Sequence, residues 1–429
     1  MDQTKYIVLK FGGTSQLKST YELITDILNN SDDNTKFIII LSAQSEITNE
    51  LLKYVTNNTD DQLKIIINKN LNLANDCNVN IEDYITEFKN KCIYAINDPI
   101  SIVASGEFFT CNILNNFLLK NKIKSELISS LKVISSDIEN IDFNNKGNFT
   151  VNDLIIKNKL IDNKVIVIPG FSGVTPSGKC CLLGRGGSDT SGSIVAAALN
   201  AIKYEIWTDV CGIYSADPRK IKNTKIIKSI NYNIAQEIAA MGAKVIHPYS
   251  ILPCAKKNIP IIIKNTFNPY QESTLIQNDF ENEFNNIYGI TVQDNVKVFK
   301  ITSFNMWNNY GFVYDIFSIF KEYNIDINII NTSQFNITTT TDENEIEKLH
   351  LIKHKLKEKY NVEIIFDTSI VSIVANNIKL ITNIGDIFKI SNKYNIITTS
   401  YSSNDMSLSF VLPKKESIEL IEQLHEALF

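Results

Sequence analysis

No apolar run in the 429-residue chain approaches the roughly 18–20 residues that a helix needs to cross a bilayer. No spanning helix and no membrane partner are therefore expected. The amino terminus, Met1-Asp2-Gln3-Thr4-Lys5, leads straight into Tyr6-Ile7-Val8-Leu9. That stretch is too short for the apolar core of a secretion signal, and no arginine-rich transit segment precedes it. The expected location is the cytoplasm. A strong excess of one charge is missing too: 42 Lys and Arg against 47 Asp and Glu leave a formal net charge of −5. This argues against a broad nucleic-acid-binding surface. The seven cysteines are odd in number and lack the spacing of a metal cage. Cys180 and Cys181 are neighbours, which cannot chelate as a C-x-x-C pair does. They read as reduced, mostly buried thiols of a cytosol-like compartment, and no protein-held metal is expected. A G-x-x-x-x-G-K-[ST] phosphate loop occurs nowhere in the chain, which removes the common P-loop route to nucleotide binding.

What is present is an apolar fraction of 44%, typical of a globular protein, and a length that calls for two or three domains. In the first half, short apolar runs alternate with helical patterns. Tyr6–Lys10, Phe37–Leu41, Lys164–Ile168, Glu205–Trp207 and Ile259–Ile263 read as strands. The spacing of Leu17, Tyr21, Ile24 and Leu28 predicts a helix, as do Ile47–Val55 and Ser188–Ala201. Alternation of this kind predicts an α/β fold with a mainly parallel sheet between helix layers. After about residue 290 a shorter βαββα rhythm appears twice, an internal repeat of a ferredoxin-like unit. The expected first repeat has strands at Val296–Thr302, Ile327–Asn331, Asn336–Thr340 and Val362–Phe366. The second has strands at Ile370–Val374, Ile396–Ser400 and Leu408–Leu412, with a helix over Ile378–Tyr394. The expected domains are residues 1–285, 295–366 and 367–429, the last two separate or interleaved.

Four motifs have chemical content. Lys10-Phe11-Gly12-Gly13-Thr14-Ser15 follows the first strand. Its glycines let backbone approach a ligand, and the helix start beyond offers N–H groups to an anion. Read by itself, the same pattern also suits a plain βα turn. Gly184-Arg185-Gly186-Gly187-Ser188-Asp189 opens a helix with two of the three glycines of a dinucleotide loop. Asp189 stands at the third, where it would repel a pyrophosphate. Arg185 offers a fork for a carboxylate. The third motif, Trp207-Thr208-Asp209-Val210-Cys211-Gly212-Ile213-Tyr214-Ser215-Ala216-Asp217-Pro218-Arg219, starts at a strand end. It reads either as a nucleoside-holding loop or as a turn at Asp217-Pro218. In the fourth, Met241-Gly242-Ala243-Lys244-Val245-Ile246-His247-Pro248, Lys244 is placed to reach a phosphate. A lone histidine before proline reads as structural.

In this order and spacing, together with Ser42-Ala43-Gln44-Ser45-Glu46-Ile47-Thr48-Asn49, Ser105-Gly106-Glu107 and the terminal repeats, these motifs resemble the aspartate kinases of the amino-acid kinase superfamily. The resemblance covers essentially the whole chain. It implies an amino-acid kinase fold followed by tandem ACT domains. The implied reaction transfers the γ-phosphoryl of ATP, with Mg²⁺, to the β-carboxylate of L-aspartate, giving 4-phospho-L-aspartate at the head of lysine, threonine and methionine synthesis. Lys10 and Asp189 are the implied catalytic pair. Thr48, Glu107 and Arg185 would hold aspartate; Lys10, Gly12, Gly13, Thr208, Asp209, Tyr214, Arg219 and Lys244 would hold ATP. An amino-acid effector would meet Met306, Asn309, Gly311, Phe312, Asp326, Asn328, Ser333 and Gln334, in the manner of the lysine-sensitive bacterial branch. A homodimer or higher homo-oligomer is implied, and no appended homoserine dehydrogenase. Cys180-Cys181-Leu182-Leu183 and Gln44-Ser45-Glu46 depart from the family pattern; the former stands where threonines are usual, the latter where small residues are. A sister acyl kinase acting on glutamate or acetylglutamate would share the glycine turns. A regulatory amino-acid-binding protein with an inactive kinase domain is the non-enzymatic alternative, and retention of Lys10, Asp189, Arg185 and Lys244 speaks against it.

Overall fold

Phe37-Ile38-Ile39-Ile40-Leu41, five consecutive apolar residues, are all buried, which is how a strand covered on both faces of a parallel sheet reads. The structure, a computed structural model, describes residues 4–94, 98–139, 147–243, 245–278, 286–306, 310–381 and 384–429. Lys244 and Asn309, named above as candidate ligands, lie outside the described residues. No helix among the described residues is long and apolar enough to cross a membrane.

The chain divides into two units. The first comprises Met1–Ile213, Ile226–Ala239 and Lys244–Phe280. Its strands are β1 (Lys5–Phe11), β2 (Thr35–Leu41), β3 (Ser125–Leu127), β4 (Ile134–Ser136), β5 (Phe149–Val151), β6 (Val165–Pro169), β7 (Ser172–Val174), β8 (Cys180–Leu182), β9 (Lys203–Thr208), β10 (Ser229–Ile230), β11 (Ile261–Asn265) and β12 (Thr274–Ile276). Eight of them form one sheet in the order β10-β12-β11-β9-β1-β2-β6-β3. Its pairs are parallel except for β11 with β12. A four-stranded sheet, β5-β4-β7-β8, stands beside it. On one face, Tyr21, Ile24 and Leu28 of the helix Lys18–Asn29 pack with Phe109, Ile113 and Leu114 of the helix Ser105–Lys120. Leu17, expected on that helical face, precedes the helix as its N-cap and is exposed. The small-residue helix Gly187–Leu199 lies close to the sheet: a Cβ on Gly192 would fall 2.4 Å from the Tyr204 hydroxyl.

The register puts four strand ends on one edge. Phe11 is opposite both Leu41 and Trp207, and Leu41 is opposite Pro169. The turns that follow, from Gly12, Ser42, Gly170 and Asp209, therefore emerge together at the carboxyl edge of the sheet, where parallel sheets bind ligands.

The second unit comprises Tyr214–Lys225, Ala240–Ala243 and Glu281–Phe429. Its strands β13 (Ile287–Thr302), β14 (Ile330–Thr332), β15 (Asn336–Thr341), β16 (Asn361–Ala375), β17 (Thr398–Tyr401) and β18 (Ser407–Pro413) form one antiparallel sheet, in the order β14-β15-β13-β16-β18-β17. Here the structure corrects the expected layout. Val362–Phe366 and Ile370–Val374 are not two strands but parts of β16, and β16 pairs with β13 along almost its whole length. The two βαββα repeats thus share a single sheet, and the boundary expected between residues 366 and 367 falls inside a strand. The helix expected over Ile378–Tyr394 is shorter, a 3-10 turn at Ile378–Leu380 and a helix at Ile384–Ser391. Tyr214–Lys225, expected within the 1–285 domain, contributes Ala216 and Ile221 to the core built by Leu420, Ile421 and Leu424.

Candidate active site

Lys10 lies one residue before the end of β1 and is only 8% exposed. Its Nζ stands 2.5 Å from Asp189 Oδ1. Asp189 sits in the first turn of the helix Gly187–Leu199, where aligned backbone dipoles favour a carboxylate. Two glycines on the wall around the pair sit in close contacts with neighbouring elements. Gly186, the helix N-cap, has a φ of +66°, and a Cβ on it would fall 2.3 Å from the Cβ of His247. Gly13 faces the turn after β2, and a Cβ there would lie 2.7 Å from Ala43 O. Both positions exclude any side chain on steric grounds.

Around the Lys10–Asp189 pair lies a cavity of about 470 Å³ whose walls include Gly13, Thr48, Glu107 and Arg185. Six of the residues singled out from the sequence are thereby brought to one space. Glu107, in the first turn of the helix Ser105–Lys120, is 3% exposed. Its Oε1 accepts from the Ala43 N–H at 3.2 Å, and its Oε2 is buried without a hydrogen-bond partner. Burial pushes the carboxyl up to about 8, with the Ala43 hydrogen bond pulling the other way. An unmatched buried carboxylate oxygen on a cavity wall is a site for a cation. Arg185, exposed at the opening of its helix, supplies the opposite charge.

The nucleotide candidates are more dispersed. Gly12 neighbours the pair, since a Cβ there would stand 3.8 Å from Lys10 Nζ. Thr208 ends β9 and its hydroxyl donates to Asp209 Oδ1 at 3.1 Å; the Asn265 amide donates to Asp209 O at 3.3 Å. Neither residue lines the cavity. Tyr214 and Arg219 belong to the second unit by their contacts. Arg219 forks onto Asp217, with Nε at 2.9 Å and Nη2 at 3.1 Å from its two oxygens. His247 caps the helix Pro248–Lys256, and burial lowers the pKa of its ring. Among the described residues there is no group of three or more His, Cys, Asp or Glu able to hold a metal ion.

In the second unit the effector candidates lie at element ends. Met306 is buried in a 3-10 turn, and Gly311 starts the helix Phe312–Glu322 with a φ of +85°. Asn328, whose N–H bonds Thr340 O at 2.9 Å, and Asp326 precede β14. Ser333 and Gln334 form the exposed turn between β14 and β15.

Phe171, on the cavity wall, had no motif to announce it; it holds a φ of +67° and donates its N–H to Ser191 Oγ at 3.1 Å. Gln44 and Ser188 fall within motifs quoted above but had no role assigned, and both line the same space. The signal available for Phe171 was position, just past a strand end.

Residues 5–265 match the profile of the amino acid kinase family. Among curated proteins, a bifunctional aspartokinase/homoserine dehydrogenase of Haemophilus influenzae is 33% identical over 62% of this chain and 34% of its own length. The lysine-sensitive aspartokinase 3 of Escherichia coli is 29% identical over 63% of this chain and 61% of its own length. The chain thus spans less than two thirds of either relative. Among solved structures, Escherichia coli aspartokinase III in complex with aspartate and ADP has the same fold, with a TM-score of 0.88 and 24% identity over 99% of this chain and 100% of that one. Strand ends converging on a lysine–aspartate pair, a parallel sheet in this order and a profile match over more than half its length place the chain in the amino acid kinase family.

Proposed function

We propose that the protein is an aspartate kinase, transferring the γ-phosphoryl of ATP to the β-carboxylate of L-aspartate to give 4-phospho-L-aspartate. The observation that carries this reading is one cavity lined by the Lys10–Asp189 pair, Arg185 and the half-matched Glu107 carboxylate. An amino acid with an acidic side chain has complementary parts. Its α-carboxylate suits Arg185, its α-ammonium suits Glu107, and Thr48 contributes a hydroxyl. The side-chain carboxylate is then left for Lys10.

Both reactants are anions, so the work of the site is to hold them together and to offset charge on the transferring phosphoryl group. Lys10 carries that charge compensation, and Asp189 orients it. A carboxylate acceptor is already a nucleophile and needs no general base. On the nucleotide side, Gly12, Gly13, Thr208 and Asp209 are assigned to ATP; Tyr214, Arg219 and Lys244 join them on the resemblance alone. Mg²⁺ enters as part of the Mg-ATP substrate, as in other phosphoryl transfers. The second unit is assigned an amino-acid effector at Met306, Asn309, Gly311, Phe312, Asp326, Asn328, Ser333 and Gln334. A homodimer or higher homo-oligomer is the proposed assembly.

The test is ADP release with Mg-ATP and aspartate, glutamate or N-acetylglutamate, trapping the acyl phosphate with hydroxylamine. Hydroxamate formed with aspartate alone is expected. Hydroxamate formed with glutamate or its acetylated form instead would assign the site to a sister acyl kinase.

A further inference from the structure

Gln44 stands in the turn after β2, directly beyond the residue whose N–H bonds Glu107, and is 9% exposed. It lines the acceptor cavity. A carboxamide has one end that donates and one that accepts, and neighbours decide which end points where. Here that decision is over-determined. Asn70, in the middle of the helix Asp60–Asp76 and 0% exposed, donates its Nδ2 to Ile66 O at 2.8 Å. A backbone carbonyl only accepts, so the Asn70 oxygen is the atom turned to Gln44. Gln44 Nε2 donates to that oxygen at 3.1 Å and to Lys69 O at 3.3 Å. The nitrogen end of Gln44 is spent on the helix, which leaves Oε1 as the acceptor of a side chain on the cavity wall. The same turn is held by Lys69 Nζ on Ser45 O and by the close approach of Gly13.

An ionised acidic amino acid carries one hydrogen-bond donor, its α-ammonium; both of its carboxylates only accept. An acceptor oxygen on the cavity wall therefore has one partner on such a substrate. Resting on the aspartate kinase reading, we propose that Gln44 is a specificity-determining residue, whose Oε1 takes a hydrogen bond from the substrate α-ammonium beside Glu107, and that Asn70 is the positioning residue that orients it. The pair makes the site select an amino acid over a plain dicarboxylic acid.

The test uses the full-length enzyme, Gln44→Met, Asn70→Leu and the double variant. Each is assayed for KM of aspartate, KM of ATP and the inhibition constant of succinate, which is aspartate without its amine. Gln44→Met is expected to raise the aspartate KM about tenfold or more, the range for a hydrogen bond to a charged group. The ATP KM and the succinate constant should stay in place. Asn70→Leu should reproduce part of the effect, and the double variant should be no worse than Gln44→Met, since coupled residues are not additive. A parallel loss of succinate and aspartate affinity would make Gln44 a brace only and overturn the assignment, as would an unchanged aspartate KM. Where Gln44→Met does not fold, Gln44→Ser carries the same measurement. Wild-type enzyme that forms no hydroxamate with aspartate overturns the underlying reading instead, which keeps the two failures apart.

Discussion

At the scale of single residues, the candidate site holds two ionisable groups in opposite circumstances. Lys10 is paired at 2.5 Å with Asp189, so its cost of burial is offset and it is held in one place. Lys10→Ala should leave the fold intact and cost roughly 3–4 kcal/mol of transition-state stabilisation, about a hundred- to a thousandfold in kcat. Circular dichroism and steady-state kinetics on the same sample check both halves; a near-normal kcat would remove Lys10 from its role. Glu107 is buried with one oxygen unmatched, and its carboxyl is raised to about 8. An ammonium needs the ionised form, so kcat/KM for aspartate should climb as pH rises through about 8, and Glu107→Gln should lose that dependence along with most of the affinity. The same shift affects stability with a definite sign. A folded-state pKa above the unfolded one gives stability that is complete below about 4.5 and lost as pH rises through about 8. Glu107→Gln should therefore melt higher than wild type at pH ~9, and this advantage should disappear at pH ~4, measured by thermal unfolding.

At the scale of elements, the strands that build the ligand edge are held by charge as well as by apolar packing. Glu205 in β9 is 3% exposed and meets Lys203 Nζ at 2.5 Å, Lys264 Nζ of β11 at 3.3 Å and Trp207 Nε1 at 3.0 Å. Lys264 also lies 5.0 Å from the Trp207 ring centre, within cation–π range. Glu205→Ala strands two lysines against this wall. Because the lysine side chains are 33% and 27% exposed, solvent recovers part of the loss, and about 2–3 kcal/mol is expected rather than the upper range for a broken buried pair. The urea midpoint at unchanged m-value measures it. Element positions themselves were largely legible. β1, β2, β6 and β9 coincide within two residues with apolar runs bounded by Gly, Pro and polar segments, because a strand buried on both faces has few other sequence signatures. The single β16 was not legible. Asp367 interrupts its apolar run with a φ of +53°, which reads as a turn, yet pairing with β13 carries the strand through with shifts of register.

At the scale of the whole molecule, the effector candidates of the second unit bear on regulation. The family branch they resemble typically has acids where Asn328 and Gln334 stand, and lysine carries two cationic groups. One lost hydrogen bond to a charged group corresponds to roughly 1.5–3 kcal/mol, about ten- to a hundredfold in affinity. Inhibition titrations with lysine, threonine and methionine are expected to show a weak lysine response; half-inhibition at micromolar lysine would contradict this. Asn328→Asp with Gln334→Glu should strengthen any response, with Asp326 as the nearby acid already present.

The motifs and the family resemblance they carry were enough to propose a reaction class for the site. Lys10, Gly13, Arg185 and Asp189 stood in motifs read from local patterns, Thr48 and Glu107 entered through the family resemblance, and all six line one cavity, because strand ends and helix starts in a parallel sheet meet at its carboxyl edge. Tertiary structure alone decided the rest. Gln44 gains significance only when Asn70, 26 positions away, takes its nitrogen end. Glu107 acquires its raised pKa only when burial strips its water. Tyr214 and Arg219, contiguous in sequence with Thr208 and Asp209, join a different unit because Ala216 and Ile221 find their apolar neighbours there. Local pattern records what a residue can do within a few neighbours. Desolvation, amide orientation and core membership are properties of groups that meet only when the chain closes.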